Sequence, residues 1–439
     1  MRYVIAGAGA AGITAAETMR SLDPKGEILI FSNEPYGFYS RPGLAYYLTG
    51  EIPESQLYPM EKDFFKKLNF KMFQSGITAL YPDRHLIQID QGNQIHFDRL
   101  LIATGSTAVQ PELPGNNLEG VVKLDNMDDA REILKRIRKT KQAVVVGGGI
   151  TALEIVEGFL ARRIKTHFFL RKDRYWGNVL DETESNIILT RLKHEGVHLH
   201  FHTELAEING KKGRVYSVQT KNQETIPCQM VAIAIGVRPN ISFAIKAGLK
   251  TERGLIVDNF MRTSEPDIYA AGDVAQVIDP LSGKSTMDVL WGIAREQARV
   301  AAWNMVGKQT PYKRSTPMNV TRLAGLTTTI IGMVGNGRGN DPDLLEITRG
   351  DSETWREIPD AIIAQEDFDV NRIRLLVGNE NILGAVVMGD QTLSQPIQRL
   401  ITEQVNIGPI KDQLTQPEAD LAGILANFWA EWRSRRAEK

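Results

Sequence analysis

The sequence predicts an α/β fold built from two Rossmann-like dinucleotide-binding units and a carboxyl-terminal α+β unit. Two observations predict it. A short β-branched strand, a cluster of glycines and a helical pattern occur in that order twice, at YVIAGAGAAG and at AVVVGGGITALE. From about Thr316 that texture gives way to paired β segments followed by helical patterns.

The first copy places a strand over Tyr3–Ala6, then Gly7, Gly9 and Gly12 in GxGxxG spacing with Ala8, Ala10 and Ala11 between them, then a helix to about Leu22. The second has Gly147, Gly148 and Gly149, then Ile150 and Thr151, with Ala152 at the third small position and a helix to about Ala161. In such a fingerprint the first glycine permits a tight turn, the second admits a pyrophosphate to the backbone, and the third lets the helix pack closely on the strand. Free N–H groups at the helix start then face the phosphates. One copy alone is weak; two copies, each between a strand and a helix, are specific.

The ends of the next strands select the nucleotide. After EILIF come Ser32, Asn33 and Glu34. Glu34 lies about 20 positions past Gly12, where a carboxylate meets an adenosine ribose, with Ser32 as the competing register. After THFFL come Arg171, Lys172, Asp173 and Arg174, basic where an acid would mark NAD. An arginine fork suits a 2′-phosphate, so the second site is expected to favour NADPH over NADH; the alternative is a set of solvated cations at a strand end. RLLIATGST reads as a buried strand ending in a tight turn at Ala103, Thr104 and Gly105, and MVAIAIGVRPN repeats that design through Ile235 and Gly236. DIYAAGDVAQ is a short strand ending at Gly272-Asp273. Beyond Thr316, TRLAGLTTTIIGMVG reads as one β segment, Gly335 to Asp343 as a loop, and RIRLLVGNENILGAVVMG as a hairpin.

A chain of 439 residues calls for two or three domains. With 52 basic and 53 acidic residues it has no electrostatic footprint for nucleic acid or an anionic membrane. No apolar run is long enough to span a bilayer, and the sequence opens directly on a strand with no room for a secretory signal, so a cytoplasmic location is expected. The single cysteine, Cys228, excludes an intramolecular disulfide and any Cys/His zinc spacing; it reads as a small buried residue rather than a reactive thiol. His198, His200 and His202 alternate along a predicted strand and would share one face, read as an exposed sheet edge in preference to a metal site; no metal is expected. Leu421, Ile424, Leu425, Phe428, Trp429 and Trp432 form one face of an amphipathic helix, expected to cover the third unit or a second subunit rather than a membrane.

Together, GAGAAG, IATG, GGGITALE, AIGVRPN and AAGD, in that order over about residues 1–315, resemble the FAD- and NAD(P)-dependent pyridine nucleotide-disulfide oxidoreductase superfamily. Glu34, Pro35, Tyr39, Arg41, Pro42 and Leu44, with the ending AVVMGDQTLSQPIQRLI, are most similar to the branch of rubredoxin reductases, ferredoxin reductases and nitrite reductase flavin units. The resemblance implies an FAD domain over 1–113 and 251–315, an NAD(P)H domain over 114–250, and an interface or dimerisation domain over 316–439. It implies that Gly7, Gly9 and Gly12 hold the FAD pyrophosphate, Glu34 its adenosine ribose, and Asp273 the ribityl and phosphate region. Thr104 and Gly105 would lie over the cofactor, and Leu290 with Trp291 would start a helix beside the flavin pyrimidine. Gly147 to Gly149 would take the NAD(P)H pyrophosphate, and Gly236 would sit near the nicotinamide. Glu154 would line the nicotinamide pocket or be a solvated helix acid.

Arg41 and Pro42 stand where related disulfide reductases carry a redox cysteine, and no lysine follows them as it does in ferredoxin reductases. Arg41 is therefore either a contact to reduced flavin or acceptor, or a turn residue paired to a local acid. The activity implied is hydride transfer from NAD(P)H to FAD and onward electron transfer to a separate carrier protein such as rubredoxin or ferredoxin, in a homodimer. The alternatives are a small acceptor (oxygen, an external disulfide or a quinone), or a nucleotide-sensing flavoprotein acting through a binding partner.

Overall fold

Arg2–Ala6 is the central strand of a five-stranded parallel sheet in the computed structural model, which describes residues 1–61, 63–279, 283, 285–332, 334, 371–378, 380–416 and 419–437. Arg99–Ile102 and Glu27–Ser32 flank it, and Ile268–Ala270 and Lys71–Gln74 form the edges. Val4, Ile5, Leu100, Leu101 and Ile102 are wholly buried, as a parallel strand covered on both faces requires. The edge strand Ile268–Ala270 arrives only after a second sheet is complete, so the first sheet draws on segments from both sides of the second.

That second sheet is also parallel, in the spatial order His198–His200, Lys165–Phe169, Gln142–Val146, Met230–Ile233, Val121–Val122. Its residues alternate between two cores. Ala143 and Val145 pack with the helix Ile150–Ala161, while Val144 packs with Leu205 and Val218 of a neighbouring antiparallel sheet.

The third unit is a four-stranded antiparallel sheet ordered Met318–Leu323, Leu326–Gly332, Ile382–Met388, Arg372–Val377. The stretch read as one β segment is a hairpin. Ala324 and Gly325 both adopt left-handed backbone (φ 48° and 78°), which reverses the chain in two residues and matches the twist of the flanking strands. The loop expected over Gly335 to Asp343 lies outside the described residues, as does Asn379 in the second hairpin's turn. The helix Leu421–Ala437 buries Leu425 and Phe428 in the core of this unit, as its apolar stripe demanded.

The hairpin tip reaches into the rest of the molecule. Leu323 and Leu326, at 0% and 3% exposure, join the core that holds Leu44, Leu48, Ala152 and Val156, each burial worth about 1.5–3 kcal/mol. Arg191 donates to the carbonyl of Ala324 at 2.7 Å, and Arg322 pairs with Glu51. Arg374 pairs with the fully buried carboxylate of Glu184 at 2.8 Å and donates to the Val179 carbonyl. Among the described residues no helix is long and apolar enough to cross a membrane.

Candidate active site

The two fingerprints fold alike. Gly7 has φ +113°, and a Cβ there would stand 2.1 Å from the Ala103 carbonyl oxygen; one on Gly12 would stand 1.9 Å from the Gly7 carbonyl. One on Gly9 would meet nothing within 4 Å. Gly7 and Gly12 are thus held by close packing, and Gly9 faces open space at the start of the helix Ala10–Leu22, the division that pyrophosphate binding asks of this loop. In the second copy Gly147 has φ +148° and lies under the Ala234 carbonyl, while Gly148 and Gly149 face open space before the helix Ile150–Ala161.

A cleft of about 520 Å³ opens at the carboxyl ends of the first sheet's strands. The fingerprint loop Gly7–Ala11 forms one wall and Ser32, Asn33 and Glu34 another. Arg41 and Pro42, the turn Ala103–Gly105, Gly272-Asp273 and the helix start Leu290-Trp291 complete it. Sequence segments spread over nearly 300 positions therefore meet around one cavity, at the strand ends where open α/β sheets bind ligands. Both registers of the second strand contribute: Ser32 Oγ accepts from the Glu34 N–H at 3.2 Å, which fixes the bend that carries Glu34 over the cleft.

Among the cleft residues that were not foreseen, three shape the site through hydrogen bonds. Ser106 donates to Asp273 at 2.7 Å, orienting that carboxylate. Asn240 locks the Thr104 turn, donating to the Thr104 carbonyl at 3.1 Å while its own carbonyl accepts from Thr104 Oγ1 at 2.7 Å. Asp125 approaches from the connection between the sheets, where its backbone carbonyl accepts from Arg41 at 2.7 Å. Asn240 and Ser106 both lie in the strand–turn motifs read from the sequence, but the contacts that give Ser106 and Asp125 their roles join residues more than 80 positions apart.

Arg41 proves to be paired with an acid and to line the cleft at once. Its guanidinium bonds to one oxygen of Glu34, and Tyr39 Oη donates to the other at 2.6 Å. Burial works against the arginine's charge, and Tyr39, Glu34, Asp125 and Asp273 outweigh it, so the net shift is upward and the group stays protonated. The Trp291 indole N–H is buried in the wall with no protein partner, consistent with a polar occupant of the cleft.

Gly147, Gly148, Gly149, Ile150, Thr151, Glu154, Arg171, Lys172, Ile235 and Gly236 lie outside this cleft, at the strand ends of the second sheet. Arg171 and Lys172 are exposed, with Lys172 donating to Asn178 at 2.9 Å. One turn after Glu154, burial pushes the Glu157 carboxyl up to about 7, opposed by Arg322 of the third sheet. Cys228 is fully buried and burial pushes its thiol up to about 12, so it is no nucleophile at neutral pH. The histidine row is shorter than expected. Only His198 and His200 are in the strand, because His202 turns the chain with φ 48°, and His200 is half-buried against His167 with ring nitrogens 2.9 Å apart. Among the described residues no three His, Cys, Asp or Glu side chains are grouped to hold a metal.

Residues 1–300 match the family described as pyridine nucleotide-disulphide oxidoreductase. The chain belongs to this family. It is an FAD-dependent NAD(P)H oxidoreductase. It is 29% identical over 313 residues to the rubredoxin-NAD(+) reductase of Ectopseudomonas oleovorans, covering 71% of this chain and 81% of that one. It is 32% identical over 314 residues to the probable ferredoxin reductase CtmF of Castellaniella defragrans, covering 71% and 76%. The ferredoxin reductase for the CYP199A2 system from Rhodopseudomonas palustris shares the fold with a TM-score of 0.82 at 24% identity, covering 97% of this chain and 99% of that one.

Proposed function

We propose that the protein takes hydride from NAD(P)H onto FAD and passes the electrons to a separate carrier protein of the rubredoxin or ferredoxin type. One observation carries this reading: the cleft wall holds Arg41-Pro42 where a redox thiol would stand, and the single cysteine is buried elsewhere. Electrons then have no internal disulfide to reside on. The relatives named for rubredoxin and ferredoxin reduction support the choice of acceptor.

In this reading FAD occupies the first cleft, where it supplies the hydride acceptor and the electron exit. The residues supply binding and orientation. Gly9 admits the pyrophosphate to the open N–H groups of the helix start, Glu34 takes the adenosine ribose, and Asp273, aimed by Ser106, takes the ribityl side. Gly148 and Gly149 admit the NAD(P)H pyrophosphate, with Glu154 and Gly236 on the nicotinamide side. Arg171, exposed at the strand end, takes the 2′-phosphate and favours NADPH over NADH.

The domains are read as 1–113 with 251–315, 114–250, and 316–439, the last supporting a homodimer in the cytoplasm. A single monomeric species by analytical ultracentrifugation would remove the dimer. Rapid mixing of the NADPH-reduced protein with rubredoxin, ferredoxin or oxygen tests the acceptor. Reoxidation faster in air than with either carrier would overturn the proposal.

A further inference from the structure

We infer that Tyr39 is a positioning residue for the adenosine end of the FAD site, acting through Glu34. The inference rests on the reading that Glu34 binds the adenosine ribose. Tyr39 is 5% exposed, yet it lines the cleft, and its hydroxyl serves two partners at once. It donates to Glu34 Oε2 at 2.6 Å and accepts from the Met127 backbone N–H at 3.1 Å. Met127 opens the helix Met127–Ile137, and that N–H belongs to the first turn, where no helix carbonyl can pair with it. The helix start is itself rigid: Asn126 and Asp129 close a capping box, and Lys123 pairs with Asp129 at 2.6 Å.

The Tyr39 hydroxyl is thus held by one bond to a capped helix start and placed by the other on the carboxylate. Arg41 holds the remaining oxygen of Glu34, but from a half-exposed side chain whose second anchor is the Asp125 carbonyl. A ribose diol needs an acceptor oxygen of Glu34 facing the cleft. It displaces the partly exposed guanidinium and leaves the buried phenol in place, so Tyr39 keeps the carboxylate in its working orientation whether or not the cofactor is bound.

The test measures FAD dissociation constants, by flavin fluorescence, for apoprotein carrying Tyr39→Phe, Glu34→Gln and both. Tyr39→Phe is expected to weaken FAD about tenfold, the effect of one lost bond to a charged group. The double variant is expected to bind FAD no more weakly than Glu34→Gln alone, because Tyr39 acts only through that carboxylate. Unchanged affinity in Tyr39→Phe, or losses that add in the double variant, would overturn the inference while leaving the ribose reading intact. Unchanged affinity in Glu34→Gln would remove the ribose reading and the inference with it. If the apoprotein of Tyr39→Phe melts several degrees lower, the double variant still decides, because a merely structural loss would add to that of Glu34→Gln.

Discussion

Gly7 and Gly9 are two residues apart and look alike in the sequence, but the structure gives them opposite duties. Gly7→Ala forces a methyl into the Ala103 carbonyl at positive φ and is expected to cost about 3 kcal/mol or more, read as a large drop in the apoprotein's unfolding midpoint. Gly9→Ala meets no protein atom and has an extended backbone, so it should leave that midpoint nearly unchanged while weakening FAD retention. At the second site, Arg171→Ala should lower kcat/KM for NADPH about tenfold more than for NADH; an equal loss would show that Arg171 only finishes the strand. The fingerprint glycines, Glu34 and Asp273 were legible because each follows a strand at a fixed offset. Ser106, Asp125 and the Tyr39 bridge were not, because their partners lie 167, 84 and 88 positions away and no local pattern encodes such a meeting.

Between elements, the clearest test is the contact of the third sheet with the helix Glu182–His194. Glu184 is fully buried, shares a capping box with Asp181, and is neutralised by Arg374. Arg374→Met should destabilise by about 1–3 kcal/mol in chemical denaturation, since it removes the nearer of the buried carboxylate's two arginine partners and leaves Arg372 at 3.9 Å and the Asp181 N–H at 2.9 Å. The helices after the fingerprints end at Leu22 and Ala161, about where the sequence put their ends, while the first strand begins one residue earlier than read, at Arg2. The two-strand hairpin at Met318–Gly332 was hidden because Ala-Gly is an unusual two-residue turn and the apolar run continues through it.

Across the whole molecule, two buried groups pull stability in opposite directions with pH. Burial lowers His167 from 6.5 to about 4, so unfolding takes up a proton between those values and stability falls as pH drops through that window. Burial raises Glu157 from 4.5 to about 7, so the folded state holds the extra proton and stability falls as pH rises from 4.5 to 7. The two windows overlap and the slopes oppose, so they largely cancel; thermal melts between pH 4 and 7 should show stability falling with rising pH in His167→Gln and rising with it in Glu157→Gln, each by about 2 kcal/mol, and the opposite signs would reverse the assignment. The three-part architecture itself was legible from two fingerprints and a change of texture, but the sharing of one core among all three parts was not, since it depends on where the Ala324–Gly325 tip lands. That tip sets a rule for engineering. A chimera that borrows the carboxyl-terminal portion of a relative must keep counterparts of Leu323, Leu326, Arg322 and Arg374 that fit the sockets at Leu44, Leu48, Glu51 and Glu184, or the graft loses the contacts that join it to the rest of the chain.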